Sequence, residues 1–174
     1  MHFFRPTFVR RVLCLAGLSV LPFAAGKPQG EPAAPAPPTA APAWKLRDLD
    51  GQFVDSAQFK GKVVVLDFWA TWCPPCLSEI PGYIALQEKY GQNGLTFVGV
   101  SLDSEAPEAV KQFVAQHHMN YPVVLGDESI TAAFGGVEAI PTTFIIDRQG
   151  IIRYRKVGAE KTADFEQRLL PWLK

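Results

Sequence analysis

Apolar and polar positions divide the chain into runs typical of buried strands and segments typical of helices. Residues 62–70, KVVVLDFWA, form a continuous apolar run rich in β-branched side chains, which predicts a central strand buried on both faces. Residues 95–101, LTFVGVS, predict a second strand of the same kind. A helix is expected between these two strands, from about residue 74 to residue 90, where Gly91 ends it.

The rest of the folded region continues this alternation. In residues 106–118, apolar side chains recur at helical spacing and predict a second helix. The other expected elements are a hairpin over 44–55, strands at 121–126, 142–147 and 151–157, and helices at 128–135 and 162–174. Strands that alternate with helices predict an α/β fold, with a mixed central sheet flanked by helices.

The first 43 residues have a different pattern. Three arginines and no acidic residue accompany an apolar stretch at 12–25, which is short and interrupted by Pro22, so residues 1–26 are predicted to be a signal peptide. An uncleaved membrane anchor is the alternative. Residues 27–43, KPQGEPAAPAPPTAAPA, predict an extended Pro/Ala-rich linker. The folded domain is therefore expected at residues 44–174.

Charge excludes one class of function. Lys and Arg number 17 and Asp and Glu number 17, so the formal net charge is zero, and no long basic run is present. A nucleic-acid-binding role therefore has no electrostatic support. The basic residues Arg153, Arg155 and Lys156 are interpreted as a solvated strand end.

Cys73 and Cys76 are the two cysteines that follow the predicted signal peptide, in the sequence Cys-Pro-Pro-Cys. A structural bridge across so short a loop would stabilise little, whereas a pair between a strand and a helix is typical of a redox centre. As the helix cap, Cys73 would face the positive end of the helix dipole, which lowers the pKa of a thiol. The two prolines have no N–H, so the Cys76 N–H is expected to be the chief donor to Cys73. Such modest stabilisation of the thiolate favours a reductant over a strong oxidant.

Two segments resemble a known family. DFWATWCPPC is similar to the active-site segment of thioredoxins, and GVEAIPTTFIIDRQGIIRYRKVG resembles the segment that carries their cis-proline. LRDLDGQFVDSAQFKGKVVVLDFWATWCPPCLSEIP is similar to the opening of TlpA/ResA-like thiol-disulfide oxidoreductases of the thioredoxin superfamily. The resemblance covers residues 44–174. It implies a thioredoxin fold with a TlpA-like inserted helix and strand at about 106–125, and an exported protein thiol-disulfide oxidoreductase.

The resemblance also implies roles for five residues. Cys73 would attack the substrate disulfide, and Cys76 would resolve the mixed disulfide. Pro141 would be the cis-proline, Ile140 would present backbone groups to an extended substrate, and Trp72 would shape the rim of the site.

Two acids match family patterns. Asp67, six residues before Cys73, matches the buried acid of thioredoxins and would exchange a proton with Cys76. The alternative for Asp67 is a structural acid bonded to a loop or to the backbone. Glu79, three residues after Cys76, matches the acid near the active site of ResA-like proteins. The alternative for Glu79 is an acid that offsets the helix dipole.

The family implies no cofactor and no resident metal. The expected partners are exported proteins with disulfides, apocytochrome c among them, and a membrane thiol-disulfide electron donor. A periplasmic or otherwise exported monomer is expected, with roles in cell redox homeostasis and cytochrome c maturation.

A copper-binding chaperone is the alternative function. Cys73 and Cys76 could hold copper together with His117, His118 or Met119. The competing interpretation is that His117 lies at the edge of the core and that His118 is solvated.

Overall fold

The computed structural model describes residues 1–2, 39–103 and 107–174 of the chain. Residues 3–26 of the predicted signal peptide and residues 27–38 of the predicted linker lie outside the described residues, so both stay predictions. In the described part, no helix is long and apolar enough to cross a membrane. All elements reported below belong to the unit Ala33–Lys174.

Within the described residues, eight strands form one mixed sheet in the order β1-β8-β7-β4-β5-β6-β2-β3. β4 is parallel to β5 and β5 to β6, whereas the other neighbouring strands are antiparallel. The strands are β1 (Thr39–Ala40), β2 (Lys45–Asp48), β3 (Phe53–Asp55), β4 (Val63–Trp69), β5 (Leu95–Ser101), β6 (Val123–Leu125), β7 (Thr142–Ile146) and β8 (Ile151–Val157).

In the region that the structure describes, the helices occur where the sequence predicts them, three between strands and one after the last strand. They are α1 (Pro74–Tyr90), α2 (Pro107–Gln116), α3 (Glu128–Ala133) and α4 (Thr162–Leu169), with short 3-10 turns at Ser56–Phe59, Gly91–Asn93 and Leu170–Trp172. Pro74 suits the first position of α1, because an N–H at that position would have no partner within the helix. The predicted inserted helix and strand are α2 and β6, and β6 lies between β5 and β2.

Strand β4 is the centre of the core because both of its faces are buried. Val63, Val65 and Trp69 join one apolar cluster, which includes side chains of α1 and α4. Val64, Leu66 and Phe68 join a second cluster, which includes side chains of α3. Side chains alternate between the faces of a strand, so Asp67 lies on the first face, beneath α1 and α4.

The folded region begins earlier than residue 44. Thr39 and Ala40 pair with Ile152 and Ile151 of β8, and the Ala41 N–H donates to the Gly150 carbonyl at 2.8 Å. The Pro/Ala-rich composition instead predicts that these residues are the end of the linker. The difference arises because the free edge of β8 accepts a short extended segment whatever its side chains are.

Candidate active site at the start of helix α1

The cysteine pair lies where β4 leads into α1. Cys73 is the cap residue of α1, in extended conformation, and it forms a disulfide with Cys76 across a Cα–Cα distance of 5.3 Å. The Cys76 N–H donates to Cys73 Sγ at 3.3 Å. Both residues are almost fully covered, with 4% of Cys73 and 1% of Cys76 exposed. A pair that closes a small ring at a helix start is suited to cycling between disulfide and dithiol.

Trp72 stands out on the surface beside this disulfide. Its exposed fraction is 66%, which is high for a large aromatic side chain. The preceding residue, Thr71, is held in place because its hydroxyl and its N–H both donate to Asp103, at 2.6 and 3.0 Å. Ser101 donates to the same carboxylate at 2.8 Å. Asp103 therefore orders the loop that carries Trp72, a role that the sequence did not reveal.

The peptide bond between Ile140 and Pro141 is cis, as the resemblance implies. Thr142 lies opposite Phe68 of β4, so Pro141 is at the same end of the sheet as the cysteine pair. The Pro141 carbonyl accepts from the Gly158 N–H at 2.8 Å. Ile140 is half-buried and packs against both apolar clusters of the core, the first of which includes Cys73 and Cys76.

Asp67 is a buried acid on the face of β4 that α1 covers. Its carboxylate accepts from the Thr143 hydroxyl at 2.8 Å. Burial is the main cause that raises the pKa of Asp67, to about 7, and the charge of Glu79 raises it further. The Thr143 bond and the charge of Lys156 act in the opposite direction. Asp67 can therefore gain or lose a proton near neutral pH.

Glu79 is also buried, with 3% of its surface exposed, and it forms a salt bridge with Lys156, which is 6% exposed. The Glu160 N–H donates to the same carboxylate oxygen of Glu79 at 2.9 Å.

Because Lys156 is buried in this salt bridge, the prediction that it belongs to a solvated strand end is wrong. The neighbouring Arg153 pairs with Asp147 at 2.5 Å and is partly exposed. Strand alternation explains the difference, since residue 156 faces the core and residues 155 and 157 face outward.

Tyr83 and Thr143 connect the two acids. Lys156 Nζ donates to the Tyr83 hydroxyl at 3.1 Å, and the Tyr83 and Thr143 hydroxyls lie 3.3 Å apart. Burial raises the pKa of Tyr83 well above its usual range, so this hydroxyl stays protonated. The sequence pattern did not indicate Tyr83, Thr143 or Lys156 as residues of the site. The spacing of four residues between Glu79 and Tyr83 on one helix face could have indicated the first of them.

His117 and His118 are both exposed. The His117 ring stacks on Phe113, which packs against the core, with ring centroids 4.0 Å apart. His117 is nevertheless more exposed than the predicted core-edge position. His118 is exposed and has a φ of 52°. Across residues 39–103 and 107–174, no group of three or more His, Cys, Asp or Glu side chains could hold a metal ion.

Comparison with known proteins agrees with this geometry. The Redoxin family model matches residues 36–169. The thiol-disulfide oxidoreductase ResA of Bacillus thuringiensis subsp. konkukian is 35% identical over 129 residues, which cover 74% of each chain.

Solved structures show the same fold. A thiol:disulfide interchange protein of the thioredoxin family from Chlorobium tepidum superposes with a TM-score of 0.72 at 37% identity, covering 81% of this chain and all of that one. A secreted thiol-disulfide isomerase from Corynebacterium glutamicum superposes with a TM-score of 0.71 at 26% identity, covering 76% of this chain and 84% of that one. The predicted thioredoxin fold is confirmed.

Proposed function

This chain belongs to the Redoxin family and is a ResA-like thiol-disulfide oxidoreductase, and we propose that it works outside the cytoplasm as a reductase of protein disulfides. The observation that carries the proposal is the disulfide between Cys73 and Cys76 at the start of α1. In its dithiol form this pair would reduce a substrate and return to the disulfide described above.

The reaction would take place in two exchanges. The Cys73 thiolate attacks one sulfur of the substrate disulfide, a mixed disulfide forms, and the other substrate sulfur leaves as a thiolate. Cys76 then loses its proton and attacks Cys73 Sγ, which releases the second substrate thiolate. The substrate gains two electrons, the cysteine pair loses two, and the released thiolates take protons from water.

Asp67 would receive the proton of Cys76 in the second exchange. Its pKa of about 7, raised chiefly by burial, suits a group that accepts and returns a proton at neutral pH. Glu79 is the other candidate, three residues after Cys76 on α1. The Glu79 carboxylate already pairs with Lys156 and accepts from the Glu160 N–H. These contacts favour an assisting role for Glu79 over that of the proton carrier.

Three residues would bind the substrate. The exposed ring of Trp72 would contact the polypeptide near its disulfide. The cis bond before Pro141 turns the backbone of Ile140, whose N–H and carbonyl could pair with an extended substrate segment. A proline suits this position because it lacks an N–H that would need a partner.

Two considerations support the cellular setting. The N-terminal pattern predicts a signal peptide, and a relative in fold from Corynebacterium glutamicum is described as secreted. An exported reductase needs electrons from the cytoplasm, so a membrane thiol-disulfide carrier is the proposed donor. The proposed substrates are exported proteins with disulfides, apocytochrome c among them, and the proposed working form is a monomer.

The proposed direction can be tested by the reduction potential. In the part of the chain that the structure describes, the Cys76 N–H is the donor to Cys73 Sγ, and modest stabilisation of the thiolate keeps the potential on the reducing side. Equilibration with glutathione at pH 7 should give a potential below about −200 mV. A value near about −120 mV, which is typical of a strong oxidant, would contradict the reductase proposal and leave the exchange chemistry intact.

A further inference from the structure

Asp67, Thr143 and Lys156 form a row across three neighbouring strands. Thr143 of β7 lies opposite Asp67 of β4, and Lys156 of β8 lies opposite Thr143. Directly opposite residues of paired strands point to the same face of a sheet, so all three side chains lie beneath α1. Glu79 and Tyr83, four residues apart on α1, cover the row and contact Lys156.

The hydrogen bonds along this row run in one direction. An ammonium group has donors and no acceptor, so Lys156 donates to the Tyr83 oxygen at 3.1 Å. The Thr143 hydroxyl donates to Asp67 at 2.8 Å, so its oxygen can accept the Tyr83 hydrogen at 3.3 Å. Glu79 is the second acceptor within reach of that hydrogen, and its pairing with Lys156 leaves Thr143 as the acceptor in the order proposed here. The order of donors is therefore Lys156, Tyr83, Thr143, with Asp67 as the final acceptor.

We propose that Lys156 is a positioning residue for Asp67, which acts through Tyr83 and Thr143 and has Glu79 as its counter-ion. The ammonium holds the Tyr83 hydrogen toward Thr143, and this in turn holds the Thr143 hydrogen toward the carboxylate. A donor aimed at a carboxylate favours its charged form, which is the form that accepts a proton. The functional meaning of this series of hydrogen bonds rests on the proposed role of Asp67.

The alternative explanation is that Lys156 acts on Asp67 only through space. The titratable groups that influence or are influenced by Asp67 are Glu79 and Tyr83 on α1, Tyr121 before β6, and Lys156 on β8. β5 places Gly99 opposite Asp67 and adds no charge there. Among the charges, Glu79 raises the pKa of Asp67 by more than Lys156 lowers it.

The two explanations predict opposite effects when both charges are removed. In the double variant Glu79→Leu/Lys156→Met, loss of the two opposed charge effects alone leaves the titration midpoint of Asp67 unchanged or lowers it. Desolvation by the apolar replacements would raise the midpoint equally in the Thr143→Val background, so the combined variant described below separates it from loss of the hydrogen bonds. Loss of the series of hydrogen bonds raises the midpoint, because the Tyr83 hydroxyl can turn away and the Thr143 oxygen is then free to accept from the protonated Asp67. Apolar replacements are chosen because a glutamine at position 79 could itself donate to Tyr83.

The experiment is a carbon-13 NMR titration of the Asp67 carboxyl group in the oxidised full chain. We expect the midpoint of Glu79→Leu/Lys156→Met to rise by about one pH unit. An unchanged or lower midpoint overturns the proposal. This measurement reads the protonation of Asp67 directly and does not depend on catalysis.

Thr143 provides a matched pair of variants. Thr143→Val removes the hydroxyl at nearly constant shape and should raise the midpoint by a similar amount, whereas Thr143→Ser keeps the hydroxyl and should leave it in place. Adding Glu79→Leu/Lys156→Met to Thr143→Val should then have no further effect. A second full rise in the combined variant would show that Lys156 does not act through Thr143, which overturns the proposal.

If the double variant does not fold, Tyr83→Phe carries the test, because it removes the hydroxyl that joins Lys156 to Thr143, and an unchanged midpoint then overturns the proposal. The proposed function is tested separately. If Asp67→Asn does not slow the second exchange, Asp67 takes no part in the reaction. The midpoints would still report whether Lys156 positions the carboxyl group.

Discussion

The backbone N–H of Cys76 donates to Sγ of Cys73 at 3.3 Å, across the two prolines that separate the cysteines. A cap side chain usually accepts from the second or third residue of the helix. The second residue here is Pro75, which has no N–H, so the bond comes from the third. The Cys-Pro-Pro-Cys sequence predicts this arrangement, and the structure agrees with it.

Restoring the missing donor should change the redox equilibrium. In Pro75→Ala, the new N–H can point at Cys73, which stabilises the thiolate and with it the dithiol form. We expect a reduction potential about 30 mV less negative for each ~1.4 kcal/mol of added stabilisation. Equilibration against glutathione measures the change.

Pro74→Ala is the matched control for that variant. It restores an N–H at the first helical position, which lies outside the usual reach of the cap side chain. Its potential should stay close to that of the natural protein. Equal shifts in both variants would mean that general helix stability, rather than the donor, sets the potential.

The order of the two exchanges can be tested by trapping. If Cys73 attacks, Cys76→Ser leaves no resolving thiol, so mixed disulfides with substrate proteins should accumulate on non-reducing gels. Cys73→Ser should give none above the level of the variant that lacks both cysteines. Accumulation in Cys73→Ser instead would reverse the assignment of the pair.

The two buried acids should differ in their effect on the second exchange. Asp67→Asn removes the proposed proton acceptor and should slow resolution of the mixed disulfide by roughly 10- to 100-fold at pH 7, with the first exchange little changed. Glu79→Gln should have a smaller effect on this step. Stopped-flow fluorescence of Trp72, which lies next to the disulfide, can follow both exchanges. A larger defect in Glu79→Gln would assign the proton transfer to Glu79.

Much of the fold could be predicted because its elements have strong local patterns. The apolar run of β4 and the helix that starts at Pro74 were placed to within one residue, since buried strands and proline-started helices have clear patterns. Strand β1 was missed because its two residues are held by backbone pairing with β8 and have no apolar pattern.

The candidate site was predicted where its residues belong to a short motif, at the cysteine pair and at the cis-proline. Cys73, Cys76 and Asp67 lie within ten residues of each other, and one motif covers them. Lys156 is 77 residues from Glu79, and it resembles Arg153 and Arg155 in type. Its burial follows from which face of β8 it occupies and from the pairing of β8 with β7, and neither is encoded in a short segment.

The buried ion pair should make Lys156 important for stability. Lys156→Met leaves the Glu79 carboxylate buried without its cation, which should cost about 3–5 kcal/mol of unfolding free energy. Glu79→Leu/Lys156→Met removes both charges and should cost much less. Urea unfolding of the oxidised proteins at pH 7 measures both. Equal losses would show that an unpaired Glu79 carboxylate is not the cause of the destabilisation.

The raised pKa of Asp67 should make stability fall as pH rises. The pKa is about 7 in the folded protein against 3.8 for the free side chain, with burial as the main cause. Between these values the folded state binds more protons than the unfolded state, so unfolding free energy decreases from about pH 4 to about pH 7 and then levels off. The total loss accumulated between pH 4 and pH 7 should be about 4 kcal/mol.

Asp67→Asn should remove this dependence and stabilise the oxidised protein at pH 8, while it should make little difference at pH 4. The amide oxygen of asparagine can still accept from Thr143.

Asp147→Asn is a control in which the pH dependence has the opposite sign. Although burial raises the pKa of Asp147, its bonds with the Ile151 N–H and Arg153 outweigh burial and lower that pKa overall. Its stabilising contribution is therefore present at neutral pH and is lost as pH falls. Urea unfolding at several pH values from 4 to 8 measures these slopes, and equal slopes for the natural protein and Asp67→Asn would show that Asp67 does not titrate in this range.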